Sequence, residues 1–584
     1  METENKTHST DSTSSLQANS VSTTCQNCRK NFVIEPEDFN FYEKMKVPAP
    51  TGCPECRLVK RFSFVNTWNI FWCNCDLCGE KTMSMYSSTD KMKVYCPKCW
   101  WSDSWDGTEY AMDYDPSRSF LEQFKKLADK TPYVALESLY TSLKNSNYSN
   151  ALAWCKDCYL IFWADYCDNV YYSSLLNNVK WSMDCLRIKD SELCYELIGA
   201  HKCYQVFFSD ECDTCVDVWF SRNCYNCTNC VGCVNLRGAS YCIFNVKYSK
   251  EEYAEKIKEL GLNSFEKLKE LKEKTEKFWL SKPYRVYSGN SLNLNVTGEY
   301  VYESKNSKEM YIAQGAENCK RCQIISVKPA KDCFDYSGWG NNATLIYECV
   351  NVGENVNNIM FSFYCFPDCI NLQYCGWNIA GKNNFGCVNL KRKSYCILNK
   401  QYTKESFDKL KTQIIADMKV NPYIDKLGRK FYYGEFFPSE MSQFPYNKSN
   451  AMRFFPKTKE QTLSEGYSWT DTESPTYPVS LNSTSLPDTI EGINESILNE
   501  TIGCSLCARA YKITQGELGL LRKMKLPIPH ECPKCRENKR FSRLNKPKLY
   551  NRKCAKCNAD IYTAFAPERP EIVYCVKCYQ QEFA

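Results

Sequence analysis

Eight Cys-x-x-Cys pairs constrain this chain more than any other feature of its 584 residues. Four pairs lie near the N-terminus and four near the C-terminus, and in both groups the successive pairs are separated by 24, 18 and 17 residues. One offset of 479 residues therefore superimposes the two groups without a gap. This spacing predicts one module that occurs twice. The sixteen cysteines are Cys25, Cys28, Cys53, Cys56, Cys75, Cys78, Cys96, Cys99, Cys504, Cys507, Cys532, Cys535, Cys554, Cys557, Cys575 and Cys578.

Each pair can supply two thiolate ligands to a tetrahedral zinc ion, at sulfur–zinc distances of about 2.3 Å. Four pairs make two closed sites per module, so we expect about four Zn²⁺ per chain. A closed site leaves no position for a reacting water, which predicts structural sites. Sequential pairing, first with second and third with fourth, is favoured, and a cross-braced arrangement also satisfies the spacing. Cys73, whose matching position is Arg552, is predicted to be a spare thiol.

Composition restricts the metal chemistry to thiolates, because the chain has 39 Cys and only His8, His201 and His530. The sequence has no apolar run of membrane-spanning length, and its first twenty residues lack the basic and apolar blocks of a secretory signal. We therefore expect a soluble, cytoplasmic protein without a membrane partner, whose cysteines are metal ligands or buried thiols. Four zinc ions and sixteen thiolates lower the formal net charge from +6 to about −2. Overall basicity is then no argument for nucleic acid.

The first half of each module reads CQNCRKNFVIEPEDFNFYEKMKVPAPTGCPECRLVKRF or CSLCARAYKITQGELGLLRKMKLPIPHECPKCRENKRF. These segments resemble a zinc-ribbon, treble-clef-like domain found in many uncharacterised bacterial proteins. The second half of each module is similar to a short zinc ribbon that often follows that domain. The whole layout also resembles uncharacterised proteins of candidate-phylum bacteria. What the resemblance implies is zinc binding, and it implies no activity.

The middle of the chain carries a nine-residue repeat. When residues 149–247 are cut into eleven units, the fourth position is always aliphatic or Cys, the first is Cys in seven units, and the seventh is mostly small. Such a strict short period is typical of a solenoid, in which stacked coils bury a continuous ladder of side chains. Because nine residues are too few to close a coil, we expect two units per coil and an 18-residue β-solenoid.

A second, looser copy of the repeat follows, since CVNLRGASYCIFNV from Cys233 recurs as CVNLKRKSYCILNK from Cys387. Its stretch 315–360 drifts out of the nine-residue frame, which indicates insertions. Each copy is predicted to end in a helix, and Ser249 begins a capping box with Glu252 in the first. A further helix predicted over 115–129 would cover the open edge of the first solenoid segment.

The predicted fold class is mainly β: a Cys-rich β-solenoid in two segments, flanked by small zinc-ribbon modules and a few helices. The predicted divisions are 1–22 disordered tail, 23–102 N-terminal double zinc ribbon, 103–148 helical cap, 149–247 first β-solenoid segment, 248–300 helical insertion, 301–402 second β-solenoid segment, 403–456 helix and irregular region, 457–500 linker, and 501–584 C-terminal double zinc ribbon.

One run of central cysteines admits another interpretation. Cys224, Cys227, Cys230 and Cys233 superficially resemble an iron–sulfur motif, but Val234 stands where the bacterial pattern has proline after its last Cys. The repeat frame already accounts for all four as inward residues. A buried cysteine ladder is therefore favoured over a cluster, and over redox exchange through pairs such as Cys155 with Cys158.

A nucleic-acid footprint is the main rival for function. A basic run in the C-terminal module could contact phosphates, with Tyr550 available for stacking, although a solvated basic loop that offsets thiolate charge is slightly favoured. The candidate phosphate-binding residues are Arg536, Lys539, Arg540, Arg543, Lys546, Lys548, Arg552 and Lys553.

No motif for catalysis is present, such as a P-loop, a Rossmann fingerprint, GxSxG or HExxH. We therefore expect a non-enzymatic, zinc-binding structural and interaction scaffold that presents Tyr, Trp and Asn surfaces to an unidentified protein partner. The alternative is a nucleic-acid-associated zinc protein that acts through its basic C-terminal module.

Overall fold

The computed structural model describes residues 20–87, 92–289, 292–471 and 477–583. Most of the predicted tail 1–22, including His8, lies outside them. Within the described ranges, no helix is long and apolar enough to cross a membrane. The helices are α1 Pro36–Met45, α2 Pro54–Ser63, α3 Pro97–Trp101, α4 Phe120–Ala128, α5 Lys250–Leu260, α6 Phe265–Leu280, α7 Lys404–Val420, α8 Asn450–Phe454, α9 Lys459–Ser464, α10 Gln515–Met524, α11 Pro533–Arg543 and α12 Val576–Phe583.

Short parallel strands between residues 150 and 247 form what we call the first stack. Each residue pairs with the one twelve positions later, as Leu152 does with Ala164 and Val218 with Cys230. One coil of the first stack is therefore twelve residues long. Its strands are Asn150–Ala153, Phe162–Asp165, Asp168–Tyr171, Ser174–Met183, Leu186–Glu192, Ile198–His201, Tyr204–Phe207, Asp210–Asp213, Val216–Trp219, Thr228–Val231, Ser240–Ile243 and Val246–Lys247.

The predicted length of 18 residues per coil is wrong, and the backbone shows why. From Ala151 to Phe244 every third residue has a left-handed backbone, with φ near +50° to +60° at most of these positions. The chain turns a corner at each of them, so four three-residue sides close a coil. The first, fourth and seventh positions of the nine-residue frame are also three apart, and all of them point inward. The frame therefore identified the inward residues but not the coil length.

A second stack occupies residues 294–401. Its first pairing, Leu294 with Lys305, spans eleven residues, and a register shift then brings the spacing to twelve. Coils of twelve residues occur near both ends, as in Val301 with Ala313 and Leu372 with Asn384, and the coils between them lengthen to thirteen or fourteen. The longer coils cover the stretch where the sequence repeat drifts. The strands are Leu294–Tyr302, Lys305–Gln314, Ala316–Glu317, Gln323–Ile325, Ala330–Lys331, Phe334–Gly340, Ala343–Gly353, Val356–Met360, Phe363–Cys365, Ile370–Gln373, Gly376–Ile379, Lys382–Phe385, Val388–Lys391, Cys396–Ile397 and Lys400–Gln401.

The central cysteines line the interior of both stacks and are buried. Their thiols donate weak hydrogen bonds to backbone carbonyls two residues before and nine to eleven residues after, as Cys185 does to Met183 at 3.3 Å and to Cys194 at 3.6 Å. Inward serines both donate and accept hydrogen bonds: Ser173 donates to the Tyr171 carbonyl and accepts from the Cys185 amide. Small side chains with a polar atom thus fit a narrow interior in which carbonyls are close.

Both stacks end in the same way. A short antiparallel hairpin closes each one, and an asparagine at its turn bonds the backbone of the preceding coil. Asn245 accepts from the Val234 amide and donates to its carbonyl, and Asn399 does the same at Val388. Each hairpin turn thus covers the last strand of its stack, which would otherwise have unpaired backbone groups along an open edge. The predicted capping box of Ser249 and Glu252 is confirmed at the start of α5.

Two expectations about the surroundings of the stacks are wrong. Helix α4 does not cover the first stack, because its Phe120 packs against Tyr374 and Phe385 in the last coils of the second. The segment 457–500, expected to be a linker, is not free where it is described. It contains α9 and several 3-10 turns, and its apolar side chains pack into the core of the C-terminal module. Those side chains are Leu486, Ile490, Ile493 and Ile497.

The two stacks pack against each other through apolar faces that include Leu186 and Ile324. The guanidinium of Arg187 lies 4.0 Å from the ring centroid of Tyr300 in the same contact. Each module forms antiparallel hairpins and short helices at its end of the chain. The module hairpins are Val21–Thr24 with Asn31–Ile34, Phe71–Asn74 with Lys81–Ser84, Ile502–Gly503 with Ala510–Tyr511, and Tyr550–Lys553 with Asp560–Thr563.

Candidate metal centres

The sixteen module cysteines gather into four groups of four. Within each group the sulfur atoms all lie within 4.8 Å of one another, an arrangement that could hold a metal ion. The first pair joins the second and the third joins the fourth, so the grouping is sequential and not cross-braced. The groups are site 1 (Cys25, Cys28, Cys53, Cys56), site 2 (Cys75, Cys78, Cys96, Cys99), site 3 (Cys504, Cys507, Cys532, Cys535) and site 4 (Cys554, Cys557, Cys575, Cys578).

Local structure brings each group together. In site 1 the first pair lies at the turn of a hairpin, whereas Cys53 is the N-cap of α2 and Cys56 lies in its first turn. Pro54 follows Cys53 and begins the helix, a position where proline costs no hydrogen bond. Site 3 repeats this arrangement with Cys532 and Pro533 at the start of α11. A tight turn and a helix N-terminus thus face each other across the site.

Backbone amides prepare these sulfurs for negative charge. In sites 1 to 4 the amide of the third cysteine donates to the first sulfur at 3.2 Å. Burial raises the thiol pKa of Cys75, but backbone hydrogen bonds outweigh it and lower the pKa to about 7. The same balance lowers the pKa to about 7 for Cys504 and to about 6 for Cys554. Thiolates, the form that binds metal, are therefore favoured at these three first ligands, whereas burial raises the thiol pKa of Cys96 and Cys532 in the same sites.

The sulfur geometry fits zinc. A tetrahedron with zinc–sulfur distances of about 2.3 Å has edges of about 3.8 Å. The sulfurs of Cys28 and Cys53, of Cys507 and Cys532, and of Cys557 and Cys575 are each separated by 3.8 Å. All four ligand positions are filled by protein, so such a site would stabilise the fold and would not activate water.

The central run from Cys224 to Cys233 has a different geometry. Its four sulfurs occupy the four inward positions of one coil, and each thiol donates to backbone carbonyls, as Cys227 does to Tyr225 at 3.4 Å. Among the described residues, the groups whose sulfurs converge closely enough for a metal ion are sites 1 to 4. These four cysteines are therefore part of the buried cysteine ladder of the first stack.

The N-terminal module docks on the second stack through α2. Arg57 and Arg61, four residues apart on one face of the helix, both reach the buried carboxylate of Asp335. The distances are 3.0 Å from Arg57 and 3.8 Å from Arg61, and both guanidinium groups also pair with Glu348. Beside them the ring of Phe41 stacks on Phe334 with centroids 3.8 Å apart.

The C-terminal module docks on the first stack in the same way. Arg536 and Arg540 of α11 contact the buried carboxylate of Asp184 at 2.9 Å and 2.6 Å. Arg536 also pairs with Glu517 of its own module, and Arg540 donates to the carbonyl of Tyr172. Each module thus contacts the stack more distant from it in sequence, and we call each set of two arginines and one aspartate an arginine clamp.

These contacts account for most of the predicted phosphate-binding residues. The side chains of Arg536 and Arg540 are only 3% and 5% exposed, and Arg543 pairs with Asp210 at 2.6 Å. Lys539, Lys548 and Lys553 pair with Glu531, Glu55 and Asp560, in that order. Arg552 donates to the carbonyls of Ala566 and Glu571, while Lys546 is exposed. The run is therefore not one open basic surface.

Sequence reasoning missed the acidic partners of the clamps. A signal was present, because the offset of 479 residues also relates Arg57 to Arg536, Arg61 to Arg540 and Asp38 to Glu517. This recurrence shows that both arginines belong to the duplicated unit, but it does not distinguish a buried acid from a phosphate as their partner.

Neither a scan against protein-family models nor a search of curated proteins returned a match to this chain. The function is therefore inferred from the fold, the four cysteine groups and the arginine clamps.

Proposed function

We propose that this protein is a non-enzymatic, zinc-binding scaffold in which the two end modules hold the two stacks together. The arrangement that supports this best is the crossed docking: a helix that starts at a cysteine group inserts two arginines into a stack from the other half of the chain. Metal binding would fold each helix N-terminus and so prepare the clamp. The scaffold would present its outward side chains to a protein partner in a reducing compartment.

The nucleic-acid alternative depended on the basic run of the C-terminal module. Most of these side chains already have acidic or carbonyl partners within the chain, and two of them are buried. The scaffold therefore fits the contacts better, and we expect the full chain to bind single-stranded and duplex nucleic acid weakly at most, even at low salt. A salt-dependent complex that is lost when Lys546 is replaced by Ala would support the alternative instead.

Metal analysis tests the proposal directly. Protein purified without added zinc should contain about four zinc ions per chain, because four closed groups are present. Substitution of one ligand in each site in turn should lower the content by about one ion. A content of two or fewer, or iron with visible absorption, would contradict the proposal.

A further inference from the structure

Site 3 of the C-terminal module and site 1 of the N-terminal module occupy matching positions, but they differ in how well the rest of the chain protects them. At site 1 the segment Asp425–Glu435 lies over the turn between the first two cysteines. Arg429 donates to Asn27 there, and Gln26 donates to Glu435 at 2.9 Å. At site 3 the matching turn residue, Leu506, is 59% exposed, and the neighbouring ligand Cys507 is exposed. A chelator or oxidant in solution can reach site 3 directly.

The first half of the C-terminal module, which contains site 3, covers an aromatic face of the first stack. This face is formed by ring side chains on successive coils, against which α10 packs with Leu518, Leu521 and Met524. Gly516 in α10 marks the closeness of this contact, because a Cβ atom there would lie 2.0 Å from the Tyr171 hydroxyl. Helix α6 packs against the same cluster with Leu268 and Leu271, so the module covers part of the face. The aromatic residues of the face are Tyr171, Tyr172, Tyr195, Phe207, Phe208 and Phe220.

The cover depends on the metal site for a physical reason. Helix α11 has eleven residues and begins at Cys532, and a helix of this length is marginal in water without other support. Its arginine clamp begins four residues after that ligand, at Arg536. Loss of the metal would free the N-terminus of α11 and with it the geometry of the clamp. The buried carboxylate of Asp184 would then lack its partners and would have to become hydrated, which requires the cover to lift.

We infer that site 3 is a releasable latch: loss of its metal lifts the first half of the C-terminal module from the first stack and uncovers the aromatic face. This inference rests on the metal binding proposed above and adds that one of the four sites controls an apolar surface. Site 1, which is protected by Asp425–Glu435, would keep the N-terminal module docked under the same conditions.

One test compares two ligand substitutions in the full-length, zinc-loaded chain. Cys507→Ser removes an exposed ligand of site 3, and Cys557→Ser removes the matching exposed ligand of site 4 as the control. Each should lose about one zinc ion. Hydrogen exchange followed by mass spectrometry should show increased deuterium uptake in the first stack between Tyr171 and Phe220 for Cys507→Ser only. Uptake confined to residues 504–543, or equal uptake in both variants, would overturn the latch.

A second pair of variants leaves every ligand in place. Gly516→Leu introduces a side chain against Tyr171, whereas Gly519→Leu, one turn along the same helix, meets no atom within 4 Å of its Cβ. Gly516→Leu should bind a dye that reports exposed apolar surface and should retain four zinc ions, and Gly519→Leu should behave as wild type. Equal dye binding by both variants would contradict the inference that α10 covers the face.

Reversible metal removal keeps the test valid if Cys507→Ser does not fold. A chelator added to the wild-type chain should release the zinc ions of the three sites that have an exposed ligand, sites 2, 3 and 4, together with a rise in dye binding, and added zinc should reverse both. Release of all three ions without dye binding would overturn the latch and leave the scaffold intact. A wild-type chain without zinc would instead reject the proposed function itself.

Discussion

The two arginine clamps use the same residues in different surroundings. In both, two arginines four residues apart on a helix that begins at a metal site meet one buried aspartate. Around Asp335 the stack adds Glu348 and Arg321, so the charges form a network within the second stack. Around Asp184 the additional acid is Glu517, which belongs to the module. The duplicated module thus fixes the arginines, whereas the additional acid comes from the stack around Asp335 and from the module around Asp184.

The largest expected effect comes from removal of the acid at the centre of a clamp. Asp335→Ala should lower the free energy of unfolding by about 3–5 kcal/mol, because it leaves Arg57, Arg61 and Arg321 buried without their shared partner. Asp184→Ala should cost a comparable amount, because it removes the acidic partner of the buried Arg540. One acid remains beside each clamp, since Glu517 still pairs with Arg536 and Glu348 still pairs with the arginines around Asp335. Denaturant unfolding of the zinc-loaded variants measures both. Asp113→Ala, which removes a carboxylate that is 80% exposed, is the control. A cost below about 1 kcal/mol for Asp335→Ala would show that the clamp is not needed for docking.

The next effect uses pH to separate the clamps from the contact that Glu137, just before the first stack, makes with the second stack. Arg321, Arg57 and Arg61 outweigh burial and lower the pKa of Asp335, so its contribution to stability is lost as the pH falls. Glu137, which accepts two hydrogen bonds from Asn351 of the second stack at 3.0 Å, faces no such cation. Burial raises its pKa to about 8, only partly offset by Asn351. Because the folded pKa exceeds the unfolded one, this stabilisation is complete below the unfolded value and is lost as the pH rises through 8.

Glu137→Gln should remove that alkaline loss. At pH 8 the variant should be more stable than wild type by about 1–3 kcal/mol, and at pH 4 the two should differ little. Unfolding curves across pH measure the difference. A wild-type chain whose stability does not fall between pH 5 and pH 9 relative to Glu137→Gln would contradict the raised pKa of the Glu137 carboxyl.

The smallest effect is expected at the turns of sites 1 and 3, where Asn27 and Leu506 occupy matching positions. Asn27→Ala removes a hydrogen bond to the Cys56 sulfur at 3.3 Å and another from Arg429, so it should cost about 1 kcal/mol and speed zinc release from site 1. Leu506→Ala truncates an exposed side chain and should change stability by less than about 0.5 kcal/mol. Chelator kinetics and thermal unfolding measure both. Equal costs for the two substitutions would show that Asp425–Glu435 gives site 1 no protection.

Much of the candidate site could be predicted from sequence because its chemistry is local. Cys25 and Cys28 are held by one turn, and Cys53 and Cys56 by one helix start, so their spacing alone identifies them as ligand pairs. The roles of Arg536 and Arg540 could not be predicted in this way. Their partner, Asp184, lies more than 350 residues away, and the same basic pattern on an open surface would fit a phosphate.

The sequence by itself determined which side chains of the stacks point inward, and tertiary structure decided how many of them make one coil. A period of three residues follows from local backbone geometry, since every third residue, from Ala151 onward, takes a left-handed conformation and the side chain after it turns inward. Coils of nine, twelve or eighteen residues would all preserve that period. Only the pairing of one coil with the next, such as Leu176 with Ile188, selects twelve. The crossed docking of the modules was decided in the same way, because buried charges choose their partners in space and leave no period in the sequence.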